Sequence, residues 1–387
     1  MKVFIIAGEA SGDRLGAALM RGLKSLKDVE FSGVGGPLMQ AEGMTSLFPM
    51  EELSVMGFVE VLPKIRQLKR RIKETATAAL ATMPDLVISI DSPDFCLRVA
   101  KLIKVESDIR TVHYVAPSVW AWRAGRAQKM AKVIDHVLAL LPFEPPYMEA
   151  AGIECDFVGH PVVSEPVPGS DEIAAFRKRH QLGDASVLLV LPGSRKAEVT
   201  CLGPIFTTAL KQICQARPDL RLVVPTTLNR AAQVRELVKN WPGKPLVIAP
   251  EGTNQDNDKS DKTAAFAIAE GALAASGTVS LELAAVGTPM VIAYDVNWIS
   301  RQIYKRLIKI ETLTLVNLVS DTLVVPEFLG ENCRAELIAP AVLELLENPE
   351  EQIDAMRVTM ERLGRGGENP GLRAAKAVLN SFRQSRH

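Results

Sequence analysis

The chain has 387 residues, 47% of them hydrophobic and 23% charged, which supplies material for a sizeable core and favours two domains over one or three. Lys and Arg together number 45 and Asp and Glu also number 45, so the formal net charge is zero. Proteins that bind nucleic acid through its phosphates usually carry a basic excess, and this balance therefore argues against nucleic acid as the main partner.

Short apolar runs alternate with longer amphipathic segments in the first part of the chain. The run at residues 3–7 is predicted to be a strand, followed by a glycine-containing turn and a helix over about 14–26. Further strands are predicted at residues 86–90, 111–115 and 137–141. Apolar runs of about five residues are typical of strands covered on both faces, and their alternation with helical patterns predicts a parallel, doubly wound sheet.

The pattern is interrupted at residues 160–172, where prolines, a glycine and a serine break every periodicity. We interpret this segment as an interdomain linker, with one domain over residues 1–165 and another over 166–367. Beyond the linker the pattern restarts, with strands predicted at 187–191, 220–224, 246–249 and 290–294. The predicted fold class is α/β, with two Rossmann-like domains that face a central cleft and bind a ligand at the carboxyl ends of their sheets.

Two further segments carry local predictions. Residues 252–262 are polar and are predicted to form an exposed loop. The final segment, residues 332–382, is predicted to be helical, with breaks at Pro340, Pro349 and residues 364–371.

An anion site is predicted at the turn Leu-Pro-Gly-Ser-Arg, residues 191–195, which follows a strand and opens a helix. Free N–H groups at a helix start attract anions, and Gly193 permits close approach of the backbone. Ser194 adds a hydroxyl donor and Arg195 a permanently charged, planar fork. An ordinary turn with a surface arginine explains the same residues equally well.

A second turn, Ser276-Gly277-Thr278, also begins a helix, and Glu282 lies one turn further along the same face. Backbone and hydroxyl groups at such a turn can bind phosphate while the acid binds ribose. The apolar neighbours of Glu282 predict a mostly buried helix, in which a carboxylate needs a partner. The alternative is that Glu282 is a solvated helix residue.

In the first half, Glu9, Ser11 and Asp13 follow the opening strand. With only Gly8 and Gly12 beside them, the G-x-G-x-x-G spacing is missing and an NAD site is not expected. These polar groups suit the recognition of hydroxyl groups on an acceptor. Ser11 or Asp13 could instead cap the following helix.

A candidate general base, Asp91, comes directly after the strand at residues 86–90, so its carboxylate should point into the cleft and accept a proton from an alcohol. Asp94 is expected to cap or stiffen the turn. Asp94 and Glu9 remain alternative bases, and Asp91 could instead bond its own backbone.

His113 lies in the next predicted strand, residues 111–115, and an aromatic loop at residues 118–123 follows that strand. The tryptophans of the loop could stack on a sugar, contact lipid or close the core. His113 is a candidate acceptor contact, although a lone histidine is more often a satisfied core residue.

Two basic, apolar stretches indicate contact with a membrane. The first contains basic residues interleaved with apolar ones at helical spacing, namely Lys64, Arg66, Lys69, Arg70 and Arg71. Residues 298–309 repeat the combination. A basic amphipathic helix can lie on an anionic bilayer, with about 1 kcal/mol from each basic residue near the surface. One such run alone is usually a solvated face, whereas two favour membrane association.

The cysteine pattern and the absence of a long apolar run indicate the compartment. The five cysteines are scattered without a C-x-x-C pair, which predicts a reducing environment and neither a zinc site nor a disulfide framework. No run of about 18 apolar residues and no secretory signal is seen, so we expect a cytoplasmic protein.

Together these motifs resemble the lipid-A-disaccharide synthase family. The matching segments fall in order along nearly the whole chain, at residues 7–13, 35–39, 50–62, 90–95, 113–123, 191–199 and 275–283. The resemblance implies the GT-B fold and an inverting transfer from UDP-2,3-diacylglucosamine to 2,3-diacylglucosamine 1-phosphate, which yields a β-1,6-linked disaccharide 1-phosphate and UDP. The dipoles of the two helix starts would stabilise the diphosphate, so neither a metal nor another cofactor is expected.

The resemblance also implies roles for individual residues. Asp91 would deprotonate the 6-hydroxyl of the acceptor, and Ser194, Arg195 and residues 276–278 would stabilise the charge of the leaving UDP. Glu282 would hold the ribose. Asn317 matches a family asparagine near the donor, although Val316 stands where proline is usual.

Location and assembly follow from the same resemblance. Both lipid substrates reside in the inner membrane, so the enzyme would attach peripherally to its inner face. The final helix, near residues 368–387, would pack back on the first domain and could be exchanged between two subunits of a dimer. Residues 252–271 depart from the family's usual short helix, which leaves the contacts to the donor base open.

Two other functions compete with this one. A sugar-nucleotide 2-epimerase on the same fold would bind UDP similarly but would need no lipid surface. A catalytically silent, membrane-associated nucleotide-binding module would release no UDP.

Overall fold

The computed structural model describes residues 1–53, 58–121, 125–250, 255–295 and 311–384, with side chains described outside 58–64 and 255–259. The chain divides into two compact units. Unit 1 comprises Met1–Ser164 and Leu363–His387, and unit 2 comprises Glu165–Arg362. No helix within the described ranges is long and apolar enough to cross a membrane.

Strands and helices alternate throughout the described residues. In chain order the strands are β1 Lys2–Ala7, β2 Glu30–Val34, β3 Leu86–Ile90, β4 Arg110–Tyr114, β5 His136–Ala139, β6 Glu154–Phe157, β7 Val187–Leu191, β8 Arg221–Pro225, β9 Leu246–Ile248, β10 Gly271–Ala275, β11 Met290–Tyr294 and β12 Glu327–Leu329. The helices are α1 Ala10–Leu26, α2 Pro37–Ala41, α3 Phe58–Thr82, α4 Pro93–Glu106, α5 Gly125–Met130, α6 Pro145–Glu149, α7 Ser170–Arg179, α8 Lys196–Ala216, α9 Ala231–Val238, α10 Gln255–Ala267, α11 Val279–Val286, α12 Leu315–Ser320, α13 Ala335–Glu347, α14 Glu350–Arg362 and α15 Pro370–Gln384.

Unit 1 is built on a parallel six-stranded sheet in the order β2-β1-β3-β4-β5-β6. Every residue of β3 is buried, because helices cover both faces of the sheet. The order of the strands reverses between β1 and β3, and Ala7 lies level with Ile90 at their carboxyl ends. In open α/β sheets, ligands bind at the carboxyl ends of the strands at such a reversal.

Helix α15 completes unit 1 by packing on α1. Ala374, Ala375 and Val378 belong to the same apolar cluster as β1. Two glycines allow the close approach: a Cβ at Gly22 would lie 2.6 Å from the carbonyl oxygen of Gly371.

Unit 2 contains the second parallel six-stranded sheet, in the order β12-β11-β10-β7-β8-β9. Its order reverses between β7 and β10, where Leu191 lies level with Ala274. This is the order 3-2-1-4-5-6 of dinucleotide-binding sheets, whose ligand site is at the reversal. The predicted α/β class with parallel, doubly wound sheets is confirmed in both units.

Two local predictions were wrong. Most of the predicted loop at residues 252–262 belongs to α10, which starts at Gln255. Its apolar end, with Ala264, Ala265 and Phe266, is buried, and Asp261 pairs with Arg179 on α7. The charged residues Asp261 and Lys262 therefore belong to a helix that packs against α7, and Lys262 is exposed.

The predicted break at Pro340 is also absent, because α13 continues through this residue. Pro340 has no N–H to donate within the helix. Ile338, Ala339 and Val342 around it are buried in the apolar cluster of unit 2, and this burial offsets the missing hydrogen bond.

Candidate active site

The strand-order reversal of unit 1 brings the turn after β1 against the turn after β3. A Cβ at Gly8 would lie 2.5 Å from the hydroxyl oxygen of Ser92, so a larger residue would displace the Ser92 side chain where the two turns touch. Glu9 follows Gly8 and is half-buried, and Ser11 is exposed in the first turn of α1. Asp91 is half-buried beside them, so the structure does bring these predicted residues to one edge of the sheet.

Backbone strain is concentrated at this edge. Asp91 and Ser92 have φ angles of 51° and 43°, and Val115, directly after β4, has a φ of 86°. The left-handed region is uncommon for residues other than glycine and is a genuine outlier for a β-branched one. The Asp91 N–H donates to the carbonyl oxygen of Tyr114 at 3.0 Å, which fixes the turn. Such strain typically collects at functional sites, where the surrounding structure compensates for it.

Asp13 has a different role from the predicted acceptor contact. Its side chain is 3% exposed and accepts three backbone hydrogen bonds, from Gly36 at 2.9 Å, Leu38 at 2.9 Å and Met39 at 3.0 Å. These groups form the start of α2, where unpaired N–H groups need an acceptor. Asp13 thus caps α2 instead of the helix that contains it, and we correct its assignment to a structural one.

His113 is also a structural residue, which is the alternative that the sequence left open: a core histidine with its hydrogen bonds satisfied. It lies within β4, is 1% exposed, and its Nδ1 is 2.7 Å from the hydroxyl oxygen of Ser89 on β3. Burial lowers its pKa to about 4, so the ring is neutral at pH 7. Because the ring is buried and its Nδ1 pairs with Ser89, the structure assigns His113 to the core, and we correct its assignment to the acceptor site.

In unit 2 the turn at residues 192–195 lies beside the turn at 276–278, because β7 pairs with β10. The expectation of free N–H groups at the start of α8 is not met. The N–H groups of Ser194 and Arg195 donate to Glu198 Oε2 at 3.0 and 3.1 Å. Glu198 is buried, and its carboxylate thus occupies the position where an anion would sit.

The side chains of this turn remain accessible. Ser194 is exposed, and the side chain of Arg195 is 66% exposed although its guanidinium group contacts Glu198 Oε1 at 3.2 Å. Gly193 has a φ of 113°, and a Cβ there would lie 2.5 Å from the Cβ of Glu198. Glycine is therefore required for the carboxylate of Glu198 to pin the turn. The three-residue spacing from Arg195 to Glu198 is that of a capping box and could have indicated this contact from the sequence.

The start of α11 differs, because within the described ranges its N-cap residue Thr278 makes no capping side-chain hydrogen bond and no acidic side chain accepts its N–H groups as Glu198 does at α8. Gly277 and Thr278 are exposed, Ser276 is half-buried, and Gly277 has a φ of 157° with open space around its Cα. Uncapped N–H groups at a helix start attract anions. This turn is therefore the better backbone anion site of the two.

Glu282 is not buried as predicted. Its side chain is 40% exposed and forms an ion pair with Lys262 on α10. Leu281 and Leu283 occupy the buried side of α11, and the helical period places Glu282 on the open side. The carboxylate does have the charged partner expected from the sequence, but this partner is the exposed Lys262.

Asn317 is 2% exposed, and its side-chain amide forms two reciprocal hydrogen bonds with the backbone of Val325. Its Nδ2 donates to the carbonyl oxygen of Val325 at 2.9 Å, and the Val325 N–H donates to its Oδ1 at 3.0 Å. Both ends of the amide are therefore used to hold the chain between α12 and β12. We correct its assignment from a donor contact to a residue that fixes this segment.

The basic face of α3 is only partly as predicted. Arg66, Lys69 and Arg70 are exposed. The side chain of Arg71 is only 14% exposed, because it binds Glu52 in a bidentate manner at 2.7 and 2.8 Å. Hydrogen bonds from Arg71 hold the pKa of Glu52 down to about 2. Arg71 therefore stabilises the fold, and we correct its assignment as a membrane-contact residue.

Some predicted residues lie outside the described part of the chain. These are the side chain of Lys64, Trp122 and Arg123 of the aromatic loop, and the whole second basic stretch, residues 298–309.

One group of side chains in the described residues has the spacing of metal ligands: His136, Glu154 and Asp156. It lies on the first residues of β5 and β6, at the sheet edge opposite to Asp91. His136 Nε2 is bonded to Asp156 at 2.9 Å, and Glu154 is paired with Arg110. Because these ligand atoms are already engaged by protein groups, the cluster is better explained as a structural network.

Comparison with known proteins shows which family the sequence is similar to. A family model described as Lipid-A-disaccharide synthetase matches residues 3–379. The chain is 63% identical over 381 residues to the Lipid-A-disaccharide synthase of Ruegeria pomeroyi, which covers 98% of this chain and 95% of that protein. The corresponding protein of Rhodospirillum centenum is 47% identical over 385 residues, or 98% of this chain and 94% of the relative.

Among solved structures, UDP-GlcNAc 2-epimerase from Neisseria meningitidis bound to UDP-GlcNAc matches with a TM-score of 0.64. The match covers 99% of this chain and 100% of that one at 14% sequence identity. At this identity the likeness concerns the fold alone, and with the two parallel sheets it confirms the GT-B fold.

Proposed function

The chain belongs to the lipid-A-disaccharide synthase family, and from this premise we propose how its residues divide the reaction between them. It is a glycosyltransferase of lipid A biosynthesis. We propose UDP-2,3-diacylglucosamine as the donor and 2,3-diacylglucosamine 1-phosphate as the acceptor, with a β-1,6-linked disaccharide 1-phosphate and UDP as products.

The observation that carries the proposal is the placement of Asp91 in a strained turn at the strand-order reversal of unit 1. We propose that its carboxylate accepts the proton of the acceptor's 6-hydroxyl group while that oxygen attacks the anomeric carbon of the donor. The bond to UDP breaks as the new bond forms, and the configuration inverts. Glu9 and Ser11, at the same edge, are proposed to bind hydroxyl groups of the acceptor.

The donor is assigned to unit 2. Charge grows on the diphosphate as the glycosidic bond breaks, and donors that are already oriented toward it stabilise the transition state. Arg195, Ser194 and the uncapped start of α11 at Ser276–Thr278 are proposed to supply these donors. Glu282 is proposed to bind the ribose hydroxyls, with Lys262 holding its carboxylate on the exposed side of α11.

The reaction is tested by incubating the full chain with the UDP-sugar alone, with the acceptor alone and with both, while released UDP is measured. We expect UDP only when both substrates are present, together with a disaccharide 1-phosphate of β configuration by NMR. Conversion of the UDP-sugar to its 2-epimer without acceptor would identify an epimerase. No turnover in any of the three incubations would indicate a binding module without activity. This result and the epimerase result would each contradict the proposal.

We also propose peripheral attachment to the cytoplasmic face of the inner membrane through the exposed residues Arg66, Lys69 and Arg70, together with Lys64. Arg66, Lys69 and Arg70 give α3 a basic face, and anionic lipid attracts such a face within a Debye length. The exchange of α15 between two subunits, implied by the same family resemblance, stays a prediction.

The double variant Lys69→Gln, Arg70→Gln is expected to bind vesicles containing anionic lipid about 30-fold more weakly, since each charge contributes about 1 kcal/mol. Co-sedimentation at low salt measures the change. The control variant Lys239→Gln, Arg357→Gln removes two exposed charges from unit 2 and should bind within twofold of the wild type. Equal losses in both variants would show a general charge effect and remove α3 from the membrane contact.

A further inference from the structure

A tryptophan at the carboxyl-end edge of the unit 1 sheet is held by a buried carboxylate to which the reaction above gives no task. Trp120 lies in the segment after β4, and Glu144 lies in the segment after β5. The indole Nε1 of Trp120 donates to Glu144 Oε1 at 3.4 Å. The edge of Phe143 also meets Trp120, with ring centroids 5.2 Å apart and an interplanar angle of 84°. Two neighbouring residues of one segment thus orient a single indole ring.

The backbone that carries Trp120 is anchored on both sides of it. The segment leaves β4 through the strained Val115, whose N–H donates to the carbonyl oxygen of Leu138 at 3.0 Å. Val119 and Ala121 are buried, whereas Trp120 between them is only half-buried. Trp120 is therefore partly accessible although both of its neighbours are buried.

Burying the carboxylate of Glu144 at this position costs folding free energy. It is 4% exposed, its Oε2 accepts the Leu141 N–H at 3.0 Å, and burial raises its pKa to about 7. A buried carboxylate destabilises a fold unless its partners compensate, and here the partners are the backbone N–H groups of Leu141 and Leu140 and the indole N–H of Trp120. The backbone bonds explain a buried acceptor at this position, but the additional contact with the half-buried Trp120 needs a functional reason.

Strand order supplies that reason. β3, β4 and β5 are neighbours, so the segments that carry Asp91, Trp120 and Glu144 leave the same edge of the sheet. Hydrogen bonds tie the three strand ends together, from Asp91 to Tyr114 and from Val115 to Leu138. Half-exposed aromatic rings at such an edge can pack on the apolar face of a sugar ring.

We propose that Glu144 is a positioning residue that fixes the ring of Trp120 as a stacking surface for the pyranose ring of the acceptor, beside Asp91. The inference rests on the proposed function, because it assigns a further contact to the acceptor of that reaction. Glu144 itself touches no substrate; it acts through the indole N–H.

The test compares acceptor KM, donor KM and kcat for Trp120→Leu, Glu144→Leu and Glu144→Gln, with thermal unfolding as a check on folding. Loss of a stacking contact worth about 1.4 kcal/mol raises the acceptor KM about tenfold. We expect this rise in both leucine variants, with donor KM within twofold of the wild type. Glu144→Gln keeps an oxygen for the indole N–H and should stay within about threefold.

A double variant separates positioning from a general packing effect. If Glu144 acts only through Trp120, then Trp120→Leu with Glu144→Leu should raise the acceptor KM no further than Trp120→Leu alone. An unchanged acceptor KM in Trp120→Leu, or fully additive effects in the double variant, would overturn the inference. If Glu144→Leu fails to fold, Trp120→Leu and the glutamine variant still decide it.

The wild-type protein distinguishes this inference from the function on which it rests. Acceptor-dependent release of UDP by the wild type tests the function and uses neither variant. If that release is observed while the variants keep the wild-type acceptor KM, the inference fails and the function stands. If the wild type shows no such release, both fail.

Discussion

Asp91→Asn is expected to lower kcat by about a hundredfold or more while the affinity for UDP stays within twofold. Positioned general bases contribute on the order of 10²–10⁴ to a rate, and an amide cannot take up the proton of the acceptor. Asparagine is the informative replacement, because it tolerates the left-handed φ of 51° better than alanine does. Rates of UDP release at saturating substrate give kcat, and calorimetry with UDP gives the affinity.

Asp94 provides the matched control. It lies three residues further on, exposed in the first turn of α4, and Asp94→Asn should keep most of the wild-type rate. Glu9→Gln tests the remaining carboxylate at this edge and should raise the acceptor KM more than it lowers kcat. A wild-type rate in Asp91→Asn, together with a collapse in either of the other variants, would move the general base to that residue.

Asp13→Ala is expected to lower the free energy of unfolding by about 3 kcal/mol, measured by urea denaturation. The substitution leaves the N–H groups of Gly36, Leu38 and Met39 without their acceptor at a buried helix start. Each unsatisfied buried group costs about 1–3 kcal/mol, and partial access of water limits the sum. Asp28→Ala, at an exposed position beyond α1, is the control and should change stability by less than about 0.5 kcal/mol.

The same variant separates the two roles considered for Asp13. A capping residue changes the stability of unit 1 and leaves the acceptor KM of the folded fraction near the wild-type value. A residue that binds the acceptor does the reverse. A loss of stability below about 1 kcal/mol with a large rise in acceptor KM would restore Asp13 to the binding site.

The strands that the sequence revealed are those rich in branched apolar residues, such as β3 and β7. β10 was not predicted because Gly-Ala-Leu-Ala-Ala contains no β-branched residue, and its conformation depends on pairing with β7 and β11 on both sides. The helix α10 was missed for the opposite reason. Its polar residues look like a loop until their partners on α7 and α11 are known.

The turns that carry the candidate site were predictable, because polar motifs directly followed apolar strands. The partners of individual side chains were not. Asp13 is bonded to residues 23 to 26 positions away, and Asn317 is closed off by Val325. Such pairings depend on where the chain returns in space, which residue spacing does not encode. The family resemblance, in contrast, rested on whole motifs and is confirmed.

The packing of α15 on α1 affects the order in which the protein can fold during synthesis. Unit 2 is one continuous stretch, Glu165–Arg362, and the ribosome delivers all of it before Ala374 and Val378 emerge. The sheet of unit 1 is made first but keeps an uncovered apolar face until those residues arrive. Unit 1 is therefore synthesised first but completes its folding after unit 2. A nascent chain stalled before Pro370 would expose the apolar face of the unit 1 sheet to chaperones and proteases.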